Sequence, residues 1–164
     1  MNYYIDFDNT LYNTPLLVER MKNANKTEIE NIILNSSDLV FEDVIPFLQK
    51  LRSQNHNLFL LSYAADTLKY QALKIIGSGL SNYFNALYIT AKPKYELDID
   101  YTNGIFIDDN PDDLIGLYSK NPIKVIRLRR KENIKYSVID IENTDIEEYT
   151  DFKQIGGLLW KEKK

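Results

Sequence analysis

Cysteine is absent and histidine occurs once, at position 56. Disulfides, thiolate nucleophiles, cysteine-held zinc and any site built on several histidines are thereby excluded. His56 stands in a polar turn, Ser53–Asn57, ahead of an apolar run, and reads as a surface residue. No apolar run approaches the roughly 20 residues needed to span a membrane, and no leader pattern precedes the first apolar segment, so the expected location is cytoplasmic. Charge of one sign is not in large excess. Twenty Lys and Arg against 24 Asp and Glu leave a net charge of −4, unlike a general nucleic-acid binder, although a specific one is not excluded. Six glycines and five prolines punctuate the chain without marking a repeat or a long linker. Apolar residues, in contrast, make up 44% of 164 positions, enough for one globular domain (1–164) with a proper core.

The chain is organised around Tyr3–Thr14, YYIDFDNTLYNT. A short apolar run, Tyr3 to Ile5, reads as a buried strand that ends in Asp6 and Asp8, with Thr10 following in a polar loop. Strand alternation sends Asp6 and Asp8 to one side, and two like charges held close would be relieved by a hard cation. Three later apolar runs also end or lead into polar residues. Leu58–Leu61 ends at Ser62, Phe84–Ile89 precedes Lys92-Pro93, and Ile105–Ile107 ends at Asp108-Asp109, with Asp113 beyond.

Between the runs lie helical patterns. Pro15–Asn23 and a segment opened by a Thr27-x-x-Glu30 capping box form a small helical insertion (14–38), expected to act as a minimal cap. Asp43–Ser53 is amphipathic, with Val44, Phe47, Leu48 and Leu51 on one side. Asp66 is placed to cap a helix stopped by Gly77 and Gly79, and Asp112–Ser119 is a further helix. Lys124–Leu128 is a fifth strand, Ser137–Ile141 a candidate sixth, and Tyr149–Trp160 a closing helix interrupted at Gly156-Gly157. Strands alternating with amphipathic helices predict a three-layer α/β, Rossmann-like fold with a central parallel sheet of about five strands. Ligands on such sheets sit beyond the carboxyl ends of the strands, where the polar residues fall.

Taken in order, these motifs resemble the haloacid dehalogenase (HAD) superfamily, most of whose members are phosphatases. Asp6, Asp8 and Thr10 match its first motif, Ser62 its second, Lys92-Pro93 its third, and Asp108, Asp109 and Asp113 its acidic fourth. The resemblance covers Tyr3 to about Leu128 and implies a Mg²⁺-dependent phosphatase acting on a small phosphorylated metabolite or nucleotide. It makes Asp6 the nucleophile, which would form an aspartyl-phosphate intermediate. It makes Asp8 the general acid, with its backbone carbonyl on the metal. Dehalogenases of the family lack this second Asp, so Asp8 favours phosphoester hydrolysis.

Mg²⁺ would be held by Asp6, Asp8 and Asp109, with Asp108 partnering the lysine or exchanging roles with Asp109, and with Asp113 behind them. Ser62, Asn9 and Thr10 are the candidate substrate contacts, Thr10 also ordering the loop. Lys92 is the candidate catalytic lysine; the family's usual helix after it is shortened or lost here, which leaves Lys94 as the alternative. Asn9 replaces the family's commoner Gly and tolerates unusual backbone angles. Tyr12, Asn13 and Tyr63 flank the site and are candidates to touch the leaving group.

A basic run, Arg127, Arg129, Arg130 and Lys131, reads chiefly as a solvated edge, and secondarily as a dock for a polyanion such as a nucleic-acid end. Two alternatives to a small-molecule phosphatase therefore stand: a polynucleotide-end phosphatase, and a non-catalytic metal- and phosphate-binding domain.

Overall fold

A computed structural model of the chain describes residues 1–65, 67–120 and 123–159. Its strands are β1 (Asn2–Asp6), β2 (Asn57–Tyr63), β3 (Ala86–Thr90), β4 (Ile105–Asp108), β5 (Lys124–Leu128) and β6 (Glu147–Tyr149). They form one sheet in the order β3-β2-β1-β4-β5-β6, every neighbouring pair parallel. The helices are α1 (Thr14–Met21), α2 (Lys26–Leu34), α3 (Val44–Ser53), α4 (Leu68–Ser78), α5 (Pro111–Lys120) and α6 (Phe152–Leu159). No helix among the described residues is long and apolar enough to cross a membrane.

Both faces of the sheet are covered, as apolar runs on parallel strands require. Tyr3 and Ile5 of β1 pack with Leu48, Leu51 and Phe152 in one core, while Tyr4 packs with Phe106, Leu114 and Leu117 in another. The two sides of each strand thus have different neighbours. Asp6 and Asp108 continue the face that Tyr4 and Phe106 define.

The sheet has six strands, and the sixth is not at Ser137–Ile141. Arginines at the end of β5 and just beyond it take the carbonyls at the head of that segment: Arg127 Nη2 donates to Tyr136 O at 2.8 Å and Arg129 Nε to Ser137 O at 2.6 Å. Glu147–Tyr149 pairs with β5 instead and brings Glu148 to both guanidiniums.

Helix boundaries also depart from expectation. The capping box at α2 is Asn25 with Glu28, not Thr27 with Glu30. Starting earlier leaves Glu30 to pair with Lys69 at 2.9 Å. Gly77 does not stop α4; Gly79 does, at φ 76°, in the left-handed region. Gly77 instead permits close packing, since a Cβ there would lie 2.1 Å from Ile33 O of α2. α6 runs unbroken through Gly156 and Gly157. Asp66 and Trp160, proposed respectively as a cap and as a helix end, lie outside the described residues.

The 14–38 insertion leans on the body of the protein through α2, which lies along α4 and buries Ile33 in the main core. Thr14, at the start of α1, reaches the loop after β1, where its Oγ1 donates to Asp8 Oδ1 at 2.5 Å.

Candidate active site

The chain leaves β1 for β2 and β3 on one side, then crosses back to β4 on the other. The crevice between β1 and β4 is therefore the switch point where such folds bind ligands. Ile5 pairs with Ile107, so one residue further on Asp6 and Asp108 stand side by side at its mouth. Asp6, Asp108 and Asp109 are all buried, and each offers an oxygen within 4.8 Å of the others. Oδ2 of Asp6 is buried without a hydrogen-bond partner. Hard oxygen donors so grouped suit Mg²⁺, Ca²⁺ or Mn²⁺, and the unpartnered oxygen is one that an ion would satisfy.

The lysine beside them is Lys94. Its Nζ donates to Asp6 Oδ1 and, at 2.6 Å, to Asp108 Oδ2. Lys92 is exposed and meets the rest of the protein through its backbone, which exchanges hydrogen bonds with Thr90 Oγ1. The assignment to Lys92 is therefore corrected. In place of a full helix, Lys94–Glu96 makes a single 3₁₀ turn. That turn is held at both ends of Lys94: its N–H donates to Asp113 Oδ1 at 2.8 Å, and its carbonyl accepts from Tyr101 Oη at 2.9 Å. Gly116 of α5 makes room for the turn, because a Cβ there would lie 2.3 Å from the Tyr95 ring.

The two fourth-motif carboxylates differ in what they have left to offer. Asp108 is fully engaged, with Oδ2 on Lys94 and Oδ1 accepting from the amides of Asp109 (2.7 Å) and Asn110 (2.9 Å). Asp109 accepts from Asn133 Nδ2 through Oδ2.

Asp8 points elsewhere. Its Oδ1 accepts from Thr14 Oγ1 at 2.5 Å and Lys74 Nζ at 2.6 Å, and its Oδ2 from Gln71 Nε2. It lines the same cavity as Asp6 but adds no carboxylate to the acidic group. Gln71 also donates to Ser62 Oγ. Ser62 is fully buried behind that amide and does not line the cavity, which removes it from direct contact as the structure stands.

Thr10 is likewise buried. The Phe7 carbonyl gathers the amides of Thr10, Leu11 and Tyr12, and this tight loop turns Thr10 inward. Asn9, at φ 61°, takes the left-handed conformation the loop needs and lines the cavity. Of the flanking candidates, Tyr63 borders the cavity, Tyr12 is wholly buried, and Asn13 caps α1.

The three arginines of the basic run form neither a solvated edge nor a free cationic surface; Lys131 is exposed. Arg127 and Arg130 are buried, and Arg127 and Arg129 share Glu148. Arg130 donates to Thr10 O at 2.9 Å and to Asp43 Oδ1 at 2.8 Å, with its guanidinium 3.9 Å from the Phe41 ring centre. No motif in the sequence singles out Gln71, Lys74 or Asn133, and Arg130 stands out there only as part of the basic run. Gln71 left a signal: a polar residue in the buried stripe Gln71–Ile75–Ser78 of α4.

The cavity at the strand ends, about 200 Å³, is lined by Asp6, Asp8, Lys94, Asp108 and Asp109 among others. A larger one, about 780 Å³ between Phe41, Lys131 and Lys153, contains none of these carboxylates, so size does not mark the site. One ammonium faces four carboxyl groups here: Asp6, Asp108, Asp109 and Asp113. Burial, then the charge of Asp108, pushes Asp6 up to about 7 despite Lys94. Burial, then Asp6, raises Asp109, and burial, then Asp108, raises Asp113 to about 6. Burial opposes the charge on Lys94, but Asp108, Asp6 and Asp113 together raise it above the usual lysine value.

No known family model matches the sequence. No curated protein matches it either. Solved structures do match. A HAD-superfamily hydrolase from Ehrlichia chaffeensis is 15% identical, covers 98% of this chain and 96% of its own, and superposes with a TM-score of 0.61. The D,D-heptose 1.7-bisphosphate phosphatase from B. bronchiseptica, complexed with magnesium and phosphate, is 11% identical, with 98% of each chain covered and a TM-score of 0.65. The L-2-haloacid dehalogenase from Xanthobacter autotrophicus is 13% identical over 79% of this chain and 77% of its own, with a TM-score of 0.56. The chain thus has the fold of the HAD hydrolases, a fold that carries both phosphatases and dehalogenases.

Proposed function

We propose that the protein is a HAD-type hydrolase that cleaves phosphate monoesters with Mg²⁺, through an aspartyl-phosphate on Asp6. The observation that carries this is the buried group Asp6, Asp108 and Asp109, closed by Lys94 on two of the three. Asp6 and Asp109, with the Asp8 carbonyl, would hold the ion, and Asp108 would hold the lysine. Bound there, Mg²⁺ would neutralise charge on nucleophile and phosphate alike.

Asp6 attacks phosphorus as the bond to the leaving oxygen breaks, and Asp8 gives that oxygen a proton. Water then attacks the same phosphorus, returns a proton to Asp8 and frees Asp6 and inorganic phosphate. Lys94 lies against Asp6 throughout and offsets charge gathering on the phosphoryl oxygens. The presence of Asp8 in the cavity favours a leaving group that needs a proton over halide. The arginines on which polymer binding would rest are engaged internally, which favours a small substrate.

The purified protein is expected to hydrolyse p-nitrophenyl phosphate with Mg²⁺ and to lose that activity in EDTA. Binding of Mg²⁺ without turnover across a broad phosphoester panel would favour the non-catalytic alternative.

A pH prediction follows from Asp6. Its value in the folded protein lies above the ordinary 3.8, so between 3.8 and about 7 the folded chain keeps a proton that the unfolded chain has lost. Stability of the metal-free protein should therefore fall as pH rises through that window. Mg²⁺ requires the carboxylate, so its affinity should rise with pH, by up to about tenfold per unit for each proton displaced, and level off above it. Thermal melts with and without Mg²⁺ from pH 5 to 8 check this: a Mg²⁺-induced shift independent of pH is the contrary result.

A further inference from the structure

A second hollow, about 500 Å³, opens beside the catalytic cavity between the start of α1 and the loop after β5. Asn9 and Lys135 line both, so the two hollows adjoin. Its outer wall is apolar: Pro15, Val18 and Ile134, the last two 55% and 75% exposed. Its inner wall is tied to the catalytic carboxylates. Thr14 donates to Asp8 at 2.5 Å, and Asn133 donates to Asp109.

We propose that this groove receives the leaving group, and that the substrates are phosphate monoesters of apolar alcohols or phenols. The inference rests on the phosphatase reading and deepens it. A phosphoryl group on Asp6 must place its leaving oxygen toward Asp8, the proposed proton donor. The groove begins at the residue that holds Asp8. What leaves that oxygen next meets Pro15, Val18 and Ile134, which offer no hydrogen bonds. The polar lining, Asn9, Thr14, Asn133 and Lys135, lies on the inner side; against the outer wall a polyhydroxylated leaving group would lose water without replacement, while an apolar one gains by shedding it. Lys135, its Nζ 4.7 Å from the Tyr136 ring centre, marks the seam between the two hollows.

The test is calorimetric titration of the Mg²⁺-loaded protein with alkylphosphonates from methyl to hexyl, alongside turnover of the matching alkyl phosphates. Affinity should rise by up to about fourfold per methylene. Val18→Ser and Ile134→Ser, both at exposed positions, should flatten that rise, while Ile76→Ser, exposed on α4 and away from the groove, should not. A flat series in the unaltered protein, no binding of any phosphonate, or an unchanged rise in both groove variants overturns the proposal. Binding that lengthens with the chain but without turnover of the esters sinks the phosphatase reading and leaves the groove standing. Turnover indifferent to chain length does the reverse.

Discussion

Asp6→Asn is expected to cut phosphatase turnover by about 10³-fold or more, because the amide cannot take the phosphoryl group and no neighbour is placed to do so in its stead. Asp108 is committed to Lys94 and two backbone amides, and Asp8 is held by Thr14, Gln71 and Lys74 outside the acidic group. The same substitution removes one negative charge from a cluster with a single ammonium among four carboxyl groups. The metal-free variant should therefore melt no lower than the parent at pH 7 and higher at pH 8, where the parent's Asp6 is ionised. Turnover and thermal melts on one preparation separate the outcomes. Full activity would remove Asp6 from its role, and a lower melting temperature would show that the crowding of carboxylates has been misjudged.

Lys94→Met should cost more in stability than any other substitution in the site. Removing one partner of a buried ion pair leaves an uncompensated charge, typically costing about 3–5 kcal/mol. Here Asp6 and Asp108 both lose their cation. Turnover should fall about 10²- to 10³-fold, the usual cost of removing a donor that faces developing charge. Mg²⁺ should recover part of the stability, since it answers the same excess of carboxylate, but not the turnover. Lys92→Met is the matched comparison: at an exposed position without side-chain partners among the hydrogen bonds and ion pairs found, it should change stability by less than about 0.5 kcal/mol. Urea unfolding and turnover of the two variants decide between the lysines. Equal, small effects would return the site lysine to question.

How far the sequence anticipates all this depends on the range over which each feature is set. β1, β2, β4 and β5 are readable because they are apolar runs closed by polar residues, a local pattern that the sheet only makes permanent. Asp6 and Asp108 are readable for the same reason: each is the last residue of its strand. Lys94 is harder. A lysine two residues away fits the motif equally well, and the choice is made by Asp113 and Tyr101, which grip the backbone of Lys94 from other elements. Ser62 and Thr10 have the right residue types at the right places, yet Gln71 and the Phe7 carbonyl turn them away from the cavity. A strand at 137–141 does not form because Arg127 and Arg129 take the carbonyls of Tyr136 and Ser137 at its head, and Glu147–Tyr149 pairs with β5 instead. For Lys94, Ser62 and the sixth strand the deciding partner stands seven or more residues away on another element, while the Phe7 carbonyl acts on Thr10 from three residues back, through a loop conformation that residue types alone do not specify.

Arg130 ties together parts of the protein made at very different times. Its guanidinium grips the carbonyl of Thr10, 120 residues earlier, and Asp43, whose other oxygen accepts from the amide of Phe152 at the head of α6. The loop after Asp6 is synthesised before the arginine and α6 that latch it, and it stays unlatched until both have followed. A chain halted before α6 would therefore hold the proposed site beside an unfastened loop.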